Sequence, residues 1–431
     1  MNLKLLSVLL SSVVTCTSFG ALPELFRREY NAPTNHSDEG VCIAADGRGA
    51  YAAGTVYSSV TGSYDAHLVA LRPNGTIRWV HEERVIGETE SSSQVEVDGT
   101  GHVLTLSFAR NTQGAFLRLS KFTPNGARLW ARDVSRGTSI VNFDEAALAV
   151  DAMSNAYIGN ARNRDMLVAK IAPDSTVLWE RTIANSQDWE EVTSLAVDPT
   201  GGVIATGVAG SLQGGYRTVK YDAMGNLLWT NTNSGQIGNT LGPSFVKTLS
   251  TGETIVLCTP ESTFGVPQYR LLQIGQTGQT LWQKDYKPSP MNDCEATSLA
   301  VDGSDNIIVG GFRISGGVDT VTVKYDRNGN RLWEANYTPS SATTTDIVVD
   351  RQGNVTLCGF LNTGTSTGLL VRYNPAGTQV WAKTRASDNY ARLDLDHKGN
   401  VYVVGGVFNP TTNQDFVIGA YSWMPSIGPA N

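Results

Sequence analysis

Seven tryptophans at a nearly constant interval constrain this chain more than any other feature. Trp79, Trp130, Trp179, Trp229, Trp282, Trp333 and Trp381 follow one another at spacings of 51, 49, 50, 53, 51 and 48 residues. Leu stands immediately before five of them and Val before Trp381. A fixed period near 50 residues marks a repeat array, in which each unit is one supersecondary structure packed on its neighbours. The repeat also accounts for the length, since 431 residues exceed what one hydrophobic core usually serves.

Upstream of each Trp runs an aliphatic stretch that ends in Asp and a Gly- or Asn-rich turn. The copies begin at Asp46, Asp98, Asp151, Asp198, Asp302, Asp350 and Asp396, and Ser250-Thr-Gly takes the vacant place in the fifth unit. In the sixth unit, residues 297–301 and 307–311 are two apolar runs joined by Asp302-Gly-Ser-Asp-Asn, and the second run ends in glycine. They predict a hairpin, because Asp, Gly and Asn supply the positive φ angles and local hydrogen bonds such turns need. Residues 319–325 alternate as a third strand, Asp326-Arg-Asn-Gly turns, and Arg-Leu-Trp-Glu-Ala-Asn-Tyr from Arg331 gives a fourth. No helical period appears, so the expected class is all-β, a propeller of four-stranded antiparallel blades.

Trp suits the outer strand because one large flat side chain fills the wedge between blades, which widens away from the axis. A buried Trp covers about 150–250 Å², worth on the order of 4–6 kcal/mol of gross burial at about 25 cal/mol per Å². The tryptophans are therefore read as core and not as ligand platforms. The Asp-turn element occurs eight times if Ser250 is counted, but the outer-strand Trp only seven. The missing strand is at the other end, where Glu24-Leu-Phe-Arg-Arg-Glu-Tyr30 matches Thr280-Leu-Trp-Gln-Lys-Asp-Tyr286 with Phe26 at the Trp place. Eight blades closed by the N-terminal strand are expected. Residues 1–20 read as a leader, 21–424 as one propeller and 425–431 as an irregular tail.

The copy from Asp302 to Trp333, with Gly-Ser-Asp-Asn in the turn and Lys-Tyr-Asp-Arg-Asn-Gly-Asn before Leu-Trp, resembles bacterial β-propeller repeats of the SBBP type. The resemblance covers nearly the whole mature chain, and the fifth unit departs from it at Ser250, Gln273 and Gly275. Its name implies seven blades, the alternative to the count of eight. A more distant likeness is to quinone-cofactor dehydrogenases and to the outer-membrane assembly lipoprotein, which also carry a Trp on the outer strand of eight blades. These likenesses imply an exported propeller and add little chemistry.

The N-terminal Met-Asn-Leu-Lys-Leu-Leu-Ser-Val-Leu-Leu has one Lys, a short apolar run and small residues at Ser18 and Gly20. That pattern is a secretory signal peptide, too short and Ser-rich for a membrane span. A secreted or periplasmic location without an integral membrane segment follows. Thr15 is a poor residue before a lipidated Cys16, which disfavours a lipoprotein anchor. A net charge of −7 with no basic block excludes nucleic acid as the partner. Cleavage leaves Cys42, Cys258, Cys294 and Cys358 in an oxidising compartment, where Cys258 and Cys294 could bridge.

No catalytic set, metal or cofactor is expected. Quinone dehydrogenases carry adjacent bridged cysteines and a Ca²⁺ site, and neither pattern is in the sequence. His36, His67, His81, His102 and His397 stand outside any nucleophile-elbow context, and one Asp per turn lacks the six to eight oxygens Ca²⁺ takes. Lys121, Lys170, Lys220, Lys324 and Arg372 recur at third-strand ends, where solvation or weak intramolecular pairing is the default. One feature rises above this background: Glu39, Glu90, Asp144, Glu190, Glu191 and Glu295 precede the Asp turns at the entry to the inner strands. Such acids would rim the axial channel, as ligand groups or as acceptors for their own loops. The expected function is a non-enzymatic module binding a protein or glycan. The alternative is a carbohydrate-active hydrolase or lyase that uses those carboxylates as acid and base.

Overall fold

Each Asp turn ties two strands into a hairpin, and the hairpins build the sheets. The computed structural model describes residues 23–422 apart from 31–36, 138–145, 184–189, 210–214, 234–243, 259–268, 287–292, 315, 339–340, 363, 365 and 410–412. Among the described residues all regular elements are strands, arranged as eight four-stranded antiparallel sheets around a ring. No helix there is long and apolar enough to cross a membrane. In the sixth blade the strands are Asp293–Val301, Ile307–Ile314, Val318–Tyr325 and Arg331–Tyr337. Asp302 caps its own turn, its Oδ1 accepting the N–H groups of Ser304 at 2.8 Å and Asn306 at 3.0 Å. Asp98, Asp151, Asp198, Asp350 and Asp396 cap in the same way. In the fifth blade the hairpin bond runs from Leu249 N–H to Glu253 O. Leu249, and not Ser250, therefore holds the Asp place.

Numbered from Glu39, blades 1 to 7 each take four consecutive strands. Blade 8 takes Asp388–Leu395, Val401–Asn409 and Asn413–Tyr421, and the N-terminal strand Glu24–Tyr30 pairs antiparallel with the last of these. The count is eight, not seven. Phe26 lies opposite Ala420 just as Trp79 lies opposite Ala70 in blade 1. The two chain segments also rebuild the missing turn, since Ser422 N–H donates to Pro23 O at 3.0 Å where Asp326 N–H donates to Asn330 O at 2.9 Å in blade 6. Closure leaves no unpaired third strand in the ring, which removes an edge that could pair with other chains.

Eight apolar clusters form the core, one at each boundary between blades. The seam between blades 8 and 1 is packed like the rest, with Phe26, Tyr402 and Phe416 against Ile43, Ala50 and Val69. The outer-strand aromatic of one blade sits over the third turn of the next. Gly75 of blade 1, at φ +79°, lies under Phe26 of blade 8, and a Cβ there would be 2.4 Å from the ring. Gly126 lies under Trp79 in the same way, so both the φ angle and the close approach demand glycine. The indole N–H groups of Trp79, Trp130, Trp179 and Trp333 donate to carbonyls of those same turns. Trp179 and Trp229 are buried, and the other outer tryptophans are half-buried.

The inner strands of blades 1, 2, 4, 6, 7 and 8 each carry a β-bulge at one place, between Ala296 and Ser298 in blade 6. Gly311 faces that bulge, and a Cβ on it would lie 2.1 Å from Glu295 O. The second strand therefore runs through its glycine instead of ending on it. A bulged strand brings its carbonyl inward, and only glycine leaves room.

The repeated cations are not solvated. Lys121, Lys220 and Lys324 reach the capping Asp of their own blade at 2.9, 2.7 and 2.8 Å, with both partners buried. Lys170 with Asp151, and Arg372 with Asp350, complete the set. Blades 1 and 8 have Ala70 and Ala420 at the Lys place and fill the space with Tyr51 and Tyr402, which lie opposite those alanines.

Candidate functional site

The acids singled out in the sequence lie in the inner strands beyond the bulge, away from the tight turns. Glu90 is 1% exposed, and the Arg118 guanidinium holds it together with Glu88 at 3.0 Å and Asp133 at 2.8 Å. Burial pushes the Glu90 carboxyl up to about 8, with Arg118 pulling it down and Glu83 and Glu88 pushing further up. Glu190 is fully buried and meets Arg217 at 2.8 Å. Glu191 is buried beside it, Glu295 is half-buried and raised by its burial, and Glu39 is exposed. Asp144 lies outside the described residues.

A partner of this set escaped the sequence reading. Asp388 stands eight residues before Asp396, the offset that separates Glu90 from Asp98 and Glu190 from Asp198. It is fully buried and takes Arg27 of the closing strand at 2.6 and 3.1 Å. The offset was visible in the sequence, but an Arg partner 361 residues away was not.

The axial cavity is built from other residues. It has a volume of about 1440 Å³ and opens among the tight turns, lined by the last residues of the inner strands and by turn residues such as Asp305, Arg351 and His397. Glu39, Glu90, Glu190, Glu191 and Glu295 are not part of its wall. The cavity wall also satisfies the free edges of the inner strands. Asp394 Oδ2 accepts Ala45 N–H at 2.7 Å, Asp346 Oδ2 accepts Leu393 N–H at 3.3 Å, and Ser194 and Ser298 accept from Val246 and Ile347. Each acceptor comes from the blade before, so neighbouring blades are stitched together at the axis.

Cys258 and Cys294 do not bridge. All four described cysteines are unbridged and buried. Cys258 packs between blades 4 and 5, whereas Cys294 packs between blades 5 and 6. Strand alternation aims Cys258 at the opposite side of blade 5 from Cys294. Burial pushes the Cys42 and Cys258 thiols up to about 12, which makes them poor nucleophiles.

The histidines stand apart from one another in role. His67 is buried and pushed down to about 4 by that burial. His81 faces Glu83 at 3.2 Å, His102 meets the Thr100 hydroxyl at 2.6 Å, and His397 lies at the cavity mouth. His36 is outside the described residues. Among the described residues no group of three His, Cys, Asp or Glu side chains is arranged to hold a metal ion.

A row of apolar side chains marks the rim. Leu129, Leu178, Leu228, Leu281 and Leu332, each just before an outer-strand Trp, are 49–54% exposed.

Among solved structures, the chain is similar to the Dos1 propeller at 10% identity and a TM-score of 0.49, over 77% of this chain and 93% of that one. It is also similar to the polysaccharide lyase Uly1 at 10% identity and a TM-score of 0.48, over 77% and 89%. Drosophila Plexin A, in complex with Semaphorin 1b, matches at 9% identity and a TM-score of 0.45, over 94% and 88%. No curated protein matches the sequence. The family described as outer membrane protein assembly factor BamB matches residues 118–408, from the third strand of blade 2 to the second strand of blade 8. With about two thirds of its length inside that match, this eight-bladed chain belongs to the BamB family of β-propellers.

Proposed function

We propose that this protein is an exported, non-enzymatic propeller that binds a protein partner and serves as a scaffold in assembly at the cell envelope. The observation that carries the reading is the family match, since its description names an assembly factor of the outer membrane. The half-exposed leucines of the rim support a protein partner over a glycan, because apolar side chains set among polar ones suit protein interfaces. The leader at residues 1–20 supports export without an anchor at Cys16. The closeness of the Asp302 to Trp333 copy to SBBP-type repeats supports a bacterial propeller of that repeat type.

A carbohydrate-active enzyme is the less favoured reading. Its acid and base would come from carboxylates that instead meet arginines, Glu90 with Arg118 and Glu190 with Arg217. The test is affinity capture of the tagged mature protein from solubilised native envelope, with mass spectrometry of what co-purifies. A partner held in near-stoichiometric amount, and lost when Leu178 and Leu228 are both changed to Glu, is the expected result. Release of unsaturated sugars from envelope polysaccharide by the pure protein would overturn it.

A further inference from the structure

The axial cavity carries charge that the fold does not neutralise. In each blade, the residue two places before the capping position belongs to one layer around the axis. Five of the eight places in that layer hold Ala or Val, while Glu96 in blade 2, Lys247 in blade 5 and Asp394 in blade 8 are charged. All three line the cavity. In a ring of eight, Glu96 and Asp394 flank blade 1, with only Ala44 between them, and blade 5 stands across the axis from blade 1. Within this layer negative charge therefore occupies one side and positive charge the opposite side, with small apolar side chains between.

The fold uses only one of these three groups. Asp394 accepts the Ala45 and Leu395 N–H groups, whereas Glu96 and Lys247 have no hydrogen-bond or ion-pair partner among the described residues. Burial pushes the Glu96 carboxyl up to about 7, with the charge of Asp394 adding to it, and burial pushes Asp394 up to about 6. Lys247 counters both rises without cancelling either. Asp346 and Arg392 also face the cavity, from the layer below.

We propose that this layer binds a compact zwitterion, an amino acid or short peptide, with its ammonium between Glu96 and Asp394 and its carboxylate at Lys247. An ammonium placed there meets two half-buried carboxylates that lack a cation at contact distance, and it favours their charged forms. A carboxylate at the far wall does the same for Lys247. A bare metal ion fits less well, since no three-residue ligand group is present among the described residues and Lys247 repels it across the cavity. The cavity has ample room for a dipeptide, and Phe245, on the Lys247 strand, adds an apolar wall. This site is separate from the rim proposed to hold a protein partner, so each proposal can fail alone.

The test is isothermal titration calorimetry of the mature protein at pH 6.5 with dialanine as the probe. N-acetyl-dialanine lacks the cation and dialanine amide lacks the anion, and each should bind at least about 10-fold more weakly, a difference of about 1.4 kcal/mol. Dialanine binding should release protons, seen as a heat that depends on the ionisation enthalpy of the buffer, because the ammonium favours the charged form of Glu96. Glu96→Gln should weaken dialanine at least about 10-fold and abolish most of the proton release. Lys247→Met should weaken dialanine while leaving the amide unchanged. Both variants should melt with the parent protein, since neither side chain holds the fold together. No dialanine binding by the parent protein at millimolar concentration, or equal binding of the three probes, would overturn the proposal.

Discussion

Lys324 Nζ lies 2.8 Å from Asp302 Oδ2, and the two side chains are only 5% and 6% exposed. The ion pair ties the end of the third strand to the turn between the first two, inside one blade. Its counterpart is absent from blade 5, where Leu249 and Gln273 stand at the two positions. Blade 5 thus lacks both charges, whereas blades 1 and 8 keep the acid and set a tyrosine opposite the alanine at the Lys place.

The pairing makes the effects of mutation non-additive. Lys324→Met alone should destabilise the protein by about 3–5 kcal/mol, because it leaves Asp302 buried without its cation. Changing both residues to the blade 5 pair, Asp302→Leu with Lys324→Gln, should recover most of that loss. Urea denaturation of the two single variants and the double variant reads the coupling; simple addition of the single effects would refute it.

Phe26 is the buried aromatic anchor of the closing strand. Phe26→Ala should cost about 3–5 kcal/mol, the range for truncating a buried Phe, since Phe26 packs with Tyr402 and over Gly75. Deleting residues 21–32 should lower the melting temperature and promote aggregation, because the edge of Asn413–Tyr421 would lose its partner. Thermal melts with light scattering check both, and a truncated protein that melts and stays soluble like the parent would argue against this closure.

Acid should attack the capping aspartates together. Burial alone would raise the Asp98 carboxyl, but Lys121, the Thr100 hydroxyl and the His102 N–H outweigh it and hold the group at about 2. Asp151, Asp198 and Asp302 are lowered by the same kind of contacts. A folded-state value below the unfolded one means the stabilisation is present above about pH 4 and is lost as pH falls through the folded value. Asp98 should contribute about 2 kcal/mol, and Asp98→Asn should flatten the stability curve between pH 4 and pH 2 by that amount. An unchanged slope would rule the linkage out.

The buried thiols should be silent in the native protein. Iodoacetamide at pH 8 should leave Cys42, Cys258, Cys294 and Cys358 unlabelled until denaturant is added, after which the intact mass of residues 21–431 should show four adducts. Two adducts fewer in denaturant without reductant would mean that a bridge forms after all.

Much of the architecture can be read from one dimension because each blade repeats the same local problem. The Asp turn caps itself within five residues, and the indole fills the same wedge every 50 residues or so, so hairpins, blade count and the Phe26 closure follow from counting. Partners supplied by a distant strand or another blade have no such local sign. Lys324 finds Asp302 only after the blade pairs its strands, Arg27 finds Asp388 only after the ring closes, and Gly311 shows its purpose only opposite a bulge.

The acids that looked like a channel mouth illustrate the division. Their positions before the turn are plain in the sequence, yet a strand alternates its faces and a bulge resets that alternation. Tertiary structure sends Glu90 and Glu190 to arginines inside their blades, and gathers Glu96, Lys247 and Asp394 around the axis. By itself the sequence determined the repeat, the fold class and the strand that closes the ring, because these rest on local turns and periodic burial. Which charges face the cavity was decided only by the closed ring, because eight inner strands meet there that never lie near one another along the chain.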